Sequence, residues 1–351
     1  MSSPNIPRLT SLAHGGGCGC KIAPSVLSEI LNNANAKWIP PQLLAGNDNN
    51  EDAAVYQINE NQAIVATTDF FTPIVDNPFD FGKIAATNAI SDIYAMGAQP
   101  IMALALLGMP INVLPIEVIQ QITAGGESVC TAAGIPIAGG HSIDTLEPIY
   151  GLVVIGMVDP KKLKRNNGAK AGDKIILSKP LGIGILSAAL KKEILSPAAY
   201  AKMIELTTQL NTPGQNLSNL ADVHALTDVT GFGLTGHLLE ICRGSQLSAT
   251  IEWNTVPVIN EALEHVKNKV FTGASTRNWA SFGKEIHLAT HLTEWQQQVL
   301  SDPQTSGGLL VACAPSAEHT VLDIFHQNGF AEAKTIGEFH LSKNPNTLNV
   351  I

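Results

Sequence analysis

The sequence of 351 residues lacks an excess of basic charge: 21 Lys and Arg stand against 30 Asp and Glu, a net charge of −9. Binding along a phosphate backbone needs a basic face, so nucleic acid is excluded as the main partner. A membrane-spanning run is also lacking. The longest apolar stretch, residues 101–111, is too short to cross a bilayer and is interrupted by Gly108 and Pro110. The opening MSSPNIPRLT has no basic region followed by an apolar core, so no secretory signal is expected. Cysteine is scarce and odd in number. Three of Cys18, Cys20, Cys130, Cys242 and Cys313 lie in apolar helix or strand patterns, which fits free thiols in a reducing cytoplasm better than a disulfide framework. Charged residues make up only 15% against 45% hydrophobic, with 30 Gly and 20 Pro. That excludes a disordered or coiled-coil chain and favours a compact α/β enzyme, of a length that suggests two domains.

Residues 1–20 carry little periodicity and end in a glycine-rich stretch, His14 to Lys21, which reads as an arm that is mobile unless a ligand orders it. Pro24 suits the first turn of a helix with Val26, Leu27, Ile30 and Leu31 on one face. Residues 53–58 and 63–68 read as a hairpin, 80–96 as a helix with the stripe Ala86, Ile90, Ile93, and 101–107 as an apolar strand. A helix over 114–133 and strands over 135–138 and 152–158 complete a domain spanning 21–160. The run of Ile, Leu and Met over 101–107 is too apolar for an open edge, which supports a homodimer through this domain. PKKLKRNNGAKAG at 160–172 reads as a linker, its Lys161, Lys162, Lys164 and Arg165 solvated. A second α/β domain over 173–351 follows. It has a strand at 174–178, a Gly-rich turn at 182–184, a strand ending at Asp228, a helix after Gly233 and a strand at 309–313. A helix over 315–330 and a strand over 333–339 close it.

Four acidic positions stand out. Glu51-Asp52 precedes the first hairpin strand, Asp69 ends the second, Asp228 closes a later strand, and Asp92 lies one helical turn after Asn88, on the same face. Carboxylates at strand ends or on an apolar helix are costly unless they hold a cation or make hydrogen bonds. Mg²⁺ takes hard oxygen ligands, and several Asp converging from separate segments can hold it along a polyphosphate. The plain alternative is that each Asp caps a helix or turn. Asp92 escapes it, since mid-helix among Ala and Ile it caps nothing. Gly139-Gly140-His141-Ser142 reads as a turn after a strand, able to bring backbone N–H groups and a hydroxyl to an anion, or simply as a structural turn. In the arm, Cys18-Gly19-Cys20-Lys21 reads as a nucleophilic thiolate, its pKa lowered by Lys21, or as a tail with incidental thiols. Two cysteines and one His are too few for a closed zinc site. Cys130, Cys242 and Cys313 read as small core residues.

The segments HGGGCGCK (14–21), NEDAAVY (50–56), TTDFFTPIVDNPFDFGKIAATNAISDIYAMGAQP (67–100), AGGHSI (138–143), TDVTGFGLTGHL (227–238) and DPQTSGGLL (302–310) occur in this order. Through them the chain resembles the selenophosphate synthetases (selenide, water dikinases) over nearly its whole length. The later blocks are shared with the wider aminoimidazole ribonucleotide synthetase-like ATP enzymes, and the glycine–cysteine arm narrows the likeness. The resemblance implies an N-terminal α/β domain forming a dimer sheet or barrel and a C-terminal α/β domain closing over ATP. It also implies conversion of ATP, selenide and water to selenophosphate, phosphate and AMP in the cytoplasm. It matches Cys18 and Lys21 to catalytic positions and Asp52, Asp92 and Asp228 to Mg²⁺ ligands. Lys21, Asn49, Asn50, Glu51, Asp69, Asp92, Gly140, His141 and Ser142 fall on nucleotide-binding positions. Asn49-Asn50 depart from the family pattern, where a Thr or a charged residue is frequent. A monovalent cation such as K⁺, a homodimeric state and a selenium-delivery protein complete the expectation. The alternatives are another ATP-dependent kinase or synthetase of the superfamily with a different acceptor, which would not require Cys18 to Lys21, and a non-catalytic binding module.

Overall fold

Along Gln62–Phe71 buried and exposed residues alternate, the pattern of a strand with one face packed, and the strand pairs antiparallel with Ala54–Asn59 as the expected hairpin. The computed structural model describes residues 7–22, 26–27, 29–30, 39–46, 51–342 and 345–351. Its first sheet contains β1 (Leu43–Ala45), β2 (Ala54–Asn59), β3 (Gln62–Phe71), β4 (Gln99–Met109), β5 (Ile137–Asp144) and β6 (Ile149–Val158), in the order β1-β2-β3-β6-β4-β5. Helix α1 (Pro78–Ala95) packs on β3 and β6, and α2 (Ile116–Ala132) packs on α1. Among the described residues the opposite face of the sheet is bare, with Tyr56, Ile64 and Phe70 on it 43%, 37% and 52% exposed.

Two expectations for this half need correcting. The apolar run 101–107 is not an edge, because β4 is flanked by β6 and β5. What the first half leaves open is a face. Gly139–Ser142 is not a turn either: all four residues lie within β5, the exposed edge strand parallel to β4. Glycines usually mark the end of a strand, but here they let two strands approach. A Cβ on Gly140 would stand 2.2 Å from the Ala105 carbonyl oxygen, beside a register shift between Ala103 and Ala105.

The second sheet contains β7 (Lys174–Leu177), β8 (Val223–Asp228), β9 (Ser248–Ile251), β10 (Ile286–Leu288), β11 (Leu309–Cys313), β12 (Lys334–His340) and β13 (Leu348–Val350). Their order is β10-β13-β9-β12-β7-β11-β8. Around it lie α3 (Ile183–Lys191), α4 (Pro197–Thr207), α5 (Pro213–Leu217), α6 (Gly233–Ser245), α7 (Asn260–Lys267), α8 (Gly273–Phe282), α9 (Glu294–Leu300) and α10 (Glu318–Gln327). The helix expected from Pro315 begins as a 3₁₀ turn over Pro315–Ala317 before α10. Helix α1 is buried on nearly every side, because β8, α4 and α5 cover the flank that the first sheet does not. Its polar residues Asn88, Ser91 and Asp92 thereby face the junction between the two halves.

The 160–172 segment is more than a solvated linker. Lys161 and Lys162 are exposed, but Lys164 is buried and donates to the carbonyls of Leu220 and Val223 at 2.9 and 2.7 Å. Basic composition could not reveal that buried carbonyls at the start of β8 need a donor. Near the N-terminus, Val26, Leu27 and Ile30 are exposed rather than packed as a core face, while Pro24 and Leu31 lie outside the described residues. Cys130, Cys242 and Cys313 are buried core residues, as expected, and all five cysteines are free.

Candidate active site

Asp52 enters from the loop before β2, Asp92 from the middle of α1, and Asp228 from the last position of β8. One carboxylate oxygen from each lies within 4.8 Å of the others. The cluster therefore draws on both halves of the chain. Hydroxyls from β3, β8 and α1 hold it. Thr67 Oγ1 donates to Asp92 Oδ2 at 2.5 Å, Thr227 Oγ1 donates to Asp52 Oδ1 at 2.9 Å, and Ser91 Oγ donates to Asp228. Asn211 in turn donates to Ser91 at 2.8 Å and fixes its orientation.

Burial raises the pKa of all three acids; repulsion from Asp228 and Asp92 adds to it at Asp52, and repulsion from Asp228 and Asp69 adds to it at Asp92. Asp52 Oδ2 is buried with no hydrogen-bond partner. Three close carboxylates, one with an orphaned buried oxygen, have the chemistry of a site for a hard divalent cation. The donor set fits Mg²⁺.

Asp69 lies next to this cluster on β3. Its carboxylate accepts from Asn88 Nδ2 and stands 3.7 Å from Lys21 Nζ. Asp69 is the main cause that raises the Lys21 pKa and keeps it cationic. The arm is packed against both halves. Cys18 Sγ donates to Asn88 Oδ1 at 3.2 Å, its backbone N–H donates to Thr305 Oγ1 at 3.0 Å, and Lys191 Nζ donates to the Ala13 carbonyl at 3.1 Å. Gly17, at φ +53°, leaves no room for a side chain, since a Cβ there would stand 2.3 Å from Thr305 Oγ1. The expected lowering of the Cys18 pKa is corrected by this geometry. Lys21 does pull the thiol down, but burial outweighs it and pushes the pKa up, so in this closed arrangement Cys18 is a protonated thiol.

Several residues at this site were not singled out from the sequence. Asn88 joins Cys18 and Asp69, and it also accepts the Ser306 backbone N–H at 2.7 Å. The DPQTSGG block serves the arm and α3: Thr305 holds Cys18, and Asp302 accepts the Ile185 N–H at 3.2 Å. Buried hydroxyls and amides facing acids from other segments leave no local pattern, and only the block itself flagged them.

Other expected positions lie apart. Glu51 Oε2 accepts the Asn166 backbone N–H at 3.1 Å, and burial raises its pKa. Asn49 and Asn50 fall outside the described residues. Gly140 shares a row across the sheet with Asp69 through Leu152 and Ala105. At ~4.8 Å per strand it is ~14 Å from Asp69 on the same face. Ser142 returns to that face, whereas His141, opposite Leu106, turns to the bare one.

Comparison with known proteins assigns both halves of the chain to a family. Residues 50–158 match the family model for the AIR synthase related protein, N-terminal domain, and 170–344 that for the AIR synthase related protein, C-terminal domain. The selenide, water dikinase of Dechloromonas aromatica (strain RCB) is 63% identical over 331 residues, 94% of this chain and 95% of that protein. The selenide, water dikinase of Rhizobium meliloti (strain 1021) is 56% identical over 331 residues, with the same shares, 94% and 95%. Among solved structures, thiamine-monophosphate kinase from Stenotrophomonas maltophilia K279a superposes with TM-score 0.64 at 18% identity, covering 94% of this chain and 96% of its own. The hydrogenase maturation protein HypE in complex with ATP superposes with TM-score 0.64 at 19% identity, covering 96% and 90%. At such identities the likeness is one of fold.

Proposed function

Because the chain belongs to the selenide, water dikinase family, within the broader AIR synthase related family, we propose that it converts ATP, selenide and water to selenophosphate, phosphate and AMP. The product would serve as the selenium donor for selenocysteine and selenouridine synthesis. The observation that carries the reading is the meeting of Asp52, Asp92 and Asp228 with the Cys18–Lys21 arm, since the arm is what a kinase for another acceptor would not require.

In this reading Asp52, Asp92 and Asp228 hold Mg²⁺, which when bound neutralises polyphosphate charge. Lys21, kept cationic by Asp69, adds a positive charge on the side of the arm. Asp69, Gly140 and Ser142 on one face of the sheet, with Glu51, Asn49 and Asn50, make up the nucleotide-binding set, while His141, which turns to the bare face, stands outside it. Phosphoryl transfer depends mostly on position and charge, and selenide is already anionic, so base catalysis adds little. Exclusion of water matters more, because water competes for the γ-phosphoryl group. The closed arm, with Cys18 buried against Asn88, supplies that exclusion and presents a soft thiol to selenium.

A homodimer through the bare face of the first sheet belongs to the same proposal, as do a monovalent cation such as K⁺, a selenium-delivery partner and a cytoplasmic location. Among the described residues no helix is long and apolar enough to cross a membrane. The test is phosphorus NMR of the products from ATP, Mg²⁺ and selenide under anaerobic reductant. Selenophosphate with stoichiometric AMP is expected, and ADP as the end product, independent of selenide, would overturn the reading.

A further inference from the structure

The outer side of the arm faces a half-open cleft of about 310 Å³ that the carboxylate cluster does not use. Its floor is the backbone of Gly15, Gly16 and Gly19, and its far wall is formed by α3 and α8. Four cationic or protonatable side chains line it, His14, Lys191, Lys192 and Arg277, and no acid does. The nearby carboxylates are already engaged: Glu147 with His14, Asp76 with Arg8 and Thr10, Glu193 with Arg8. Apolar wall is supplied by Pro73, Ile74 and Phe271.

The cleft adjoins the reacting thiol. A second, much smaller pocket contains Cys18 and Lys21, and the two share Gly19, Ala274 and Arg277. Arg277 donates to the Gly19 carbonyl at 3.1 Å, so the residue that divides the pockets also holds the arm. Cationic walls concentrate small anions. Apolar wall beside them favours a polarizable anion over a strongly hydrated one.

We propose that this cleft is the vestibule through which the selenium substrate reaches Cys18, accepting the soft monoanion hydrogen selenide. The inference rests on the dikinase reading and adds the route by which its second substrate arrives.

Lys192 is the residue to test, since it lines the cleft and its side chain forms no hydrogen bond or ion pair with the arm or the carboxylates among the described residues. In steady-state assays of selenide-dependent AMP formation, Lys192→Glu should raise KM for selenide about 5- to 10-fold and leave KM for ATP within about twofold, with Lys192→Arg near wild type. Thiocyanate, a soft monoanion, should compete with selenide but not with ATP, and do so more weakly on Lys192→Glu. If wild type turns over but Lys192→Glu leaves KM for selenide unchanged, the vestibule is wrong and the dikinase reading stands. If wild type shows no selenide-dependent AMP, the reading itself fails and the vestibule with it.

Discussion

The side-chain oxygen of Asn88 lies 3.2 Å from the Cys18 sulfur, while the amide nitrogen of the same side chain donates to Asp69. One residue of the central helix therefore connects the arm thiol to the acid that pairs with Lys21. Its oxygen also accepts the Ser306 N–H, so Asn88→Ala strands a buried donor as well as releasing the thiol. A loss of ~1–3 kcal/mol in urea unfolding is expected, together with reduced selenide-dependent AMP formation. Unchanged activity would mean that Cys18 needs no positioning from α1.

Asp92→Asn keeps the shape of a mid-helix carboxylate and removes its charge. Loss of at least ~100-fold in ATP consumption is expected with the fold retained, and Asp228→Asn should behave alike. Near-normal turnover in Asp92→Asn would remove the basis for a metal site. A lowered Tm as the sole effect of Asp228→Asn would make it a strand-end structural residue.

The two thiols of the arm separate by environment. Cys18 is buried against Asn88, whereas Cys20 is half-buried and donates to the Gly17 carbonyl at 3.0 Å. Cys18→Ser should abolish selenophosphate formation, because a hydroxyl does not replace a soft sulfur, and Cys20→Ser should retain most activity. Lys21→Ala should weaken ATP turnover even without selenide, through loss of the charge beside Asp69. Equal activity of the two serine variants would show that neither sulfur handles selenium.

The bare face that carries Tyr56, Ile64 and Phe70 gives the dimer a concrete test. Sedimentation at micromolar concentration should show a dimer for the native chain and a monomer for Phe70→Glu, which places a charge on that face. A monomeric native chain would refute assembly through it.

Lys179 is buried, donating to the carbonyls of Gln209 and Ser306 at 2.7 and 2.9 Å, and burial lowers its pKa from 10.5 to about 7. Between those values the unfolded chain holds a proton that the folded chain has released. Stability therefore rises with pH across this window, by at most ~1.4 kcal/mol per pH unit from this group, and the penalty is full below pH 7. Lys179→Met should flatten the slope of unfolding free energy between pH 7.5 and 9 relative to wild type. Parallel slopes would place the titration elsewhere.

The elements with one dominant period were legible in the sequence: the 54–71 hairpin, helix α1 and strand β8 ending at Asp228. So was the acid cluster, because Asp92 among alanines and isoleucines is conspicuous without any structure. Of β5 only the start was legible, within the strand read over 135–138, since the two glycines that follow mimic a turn until the neighbouring strand is seen pressing on them. The buried role of Lys164 was hidden for a similar reason, its partners being carbonyls 56 and 59 residues away. Cys18 shows the limit most clearly. The neighbouring Lys21 is visible in the sequence and argues for a thiolate, but the burial that outweighs it arises only when the arm packs against segments far away along the chain, where Asn88 and Thr305 meet Cys18.

Because α1 is covered on one flank by the first sheet and on the other by β8, α4 and α5, neither half owns a complete core. Cutting the chain within 160–172 would bare the flank of α1 that β8, α4 and α5 cover, so the first half alone is expected to lose the Asp92 environment along with its packing.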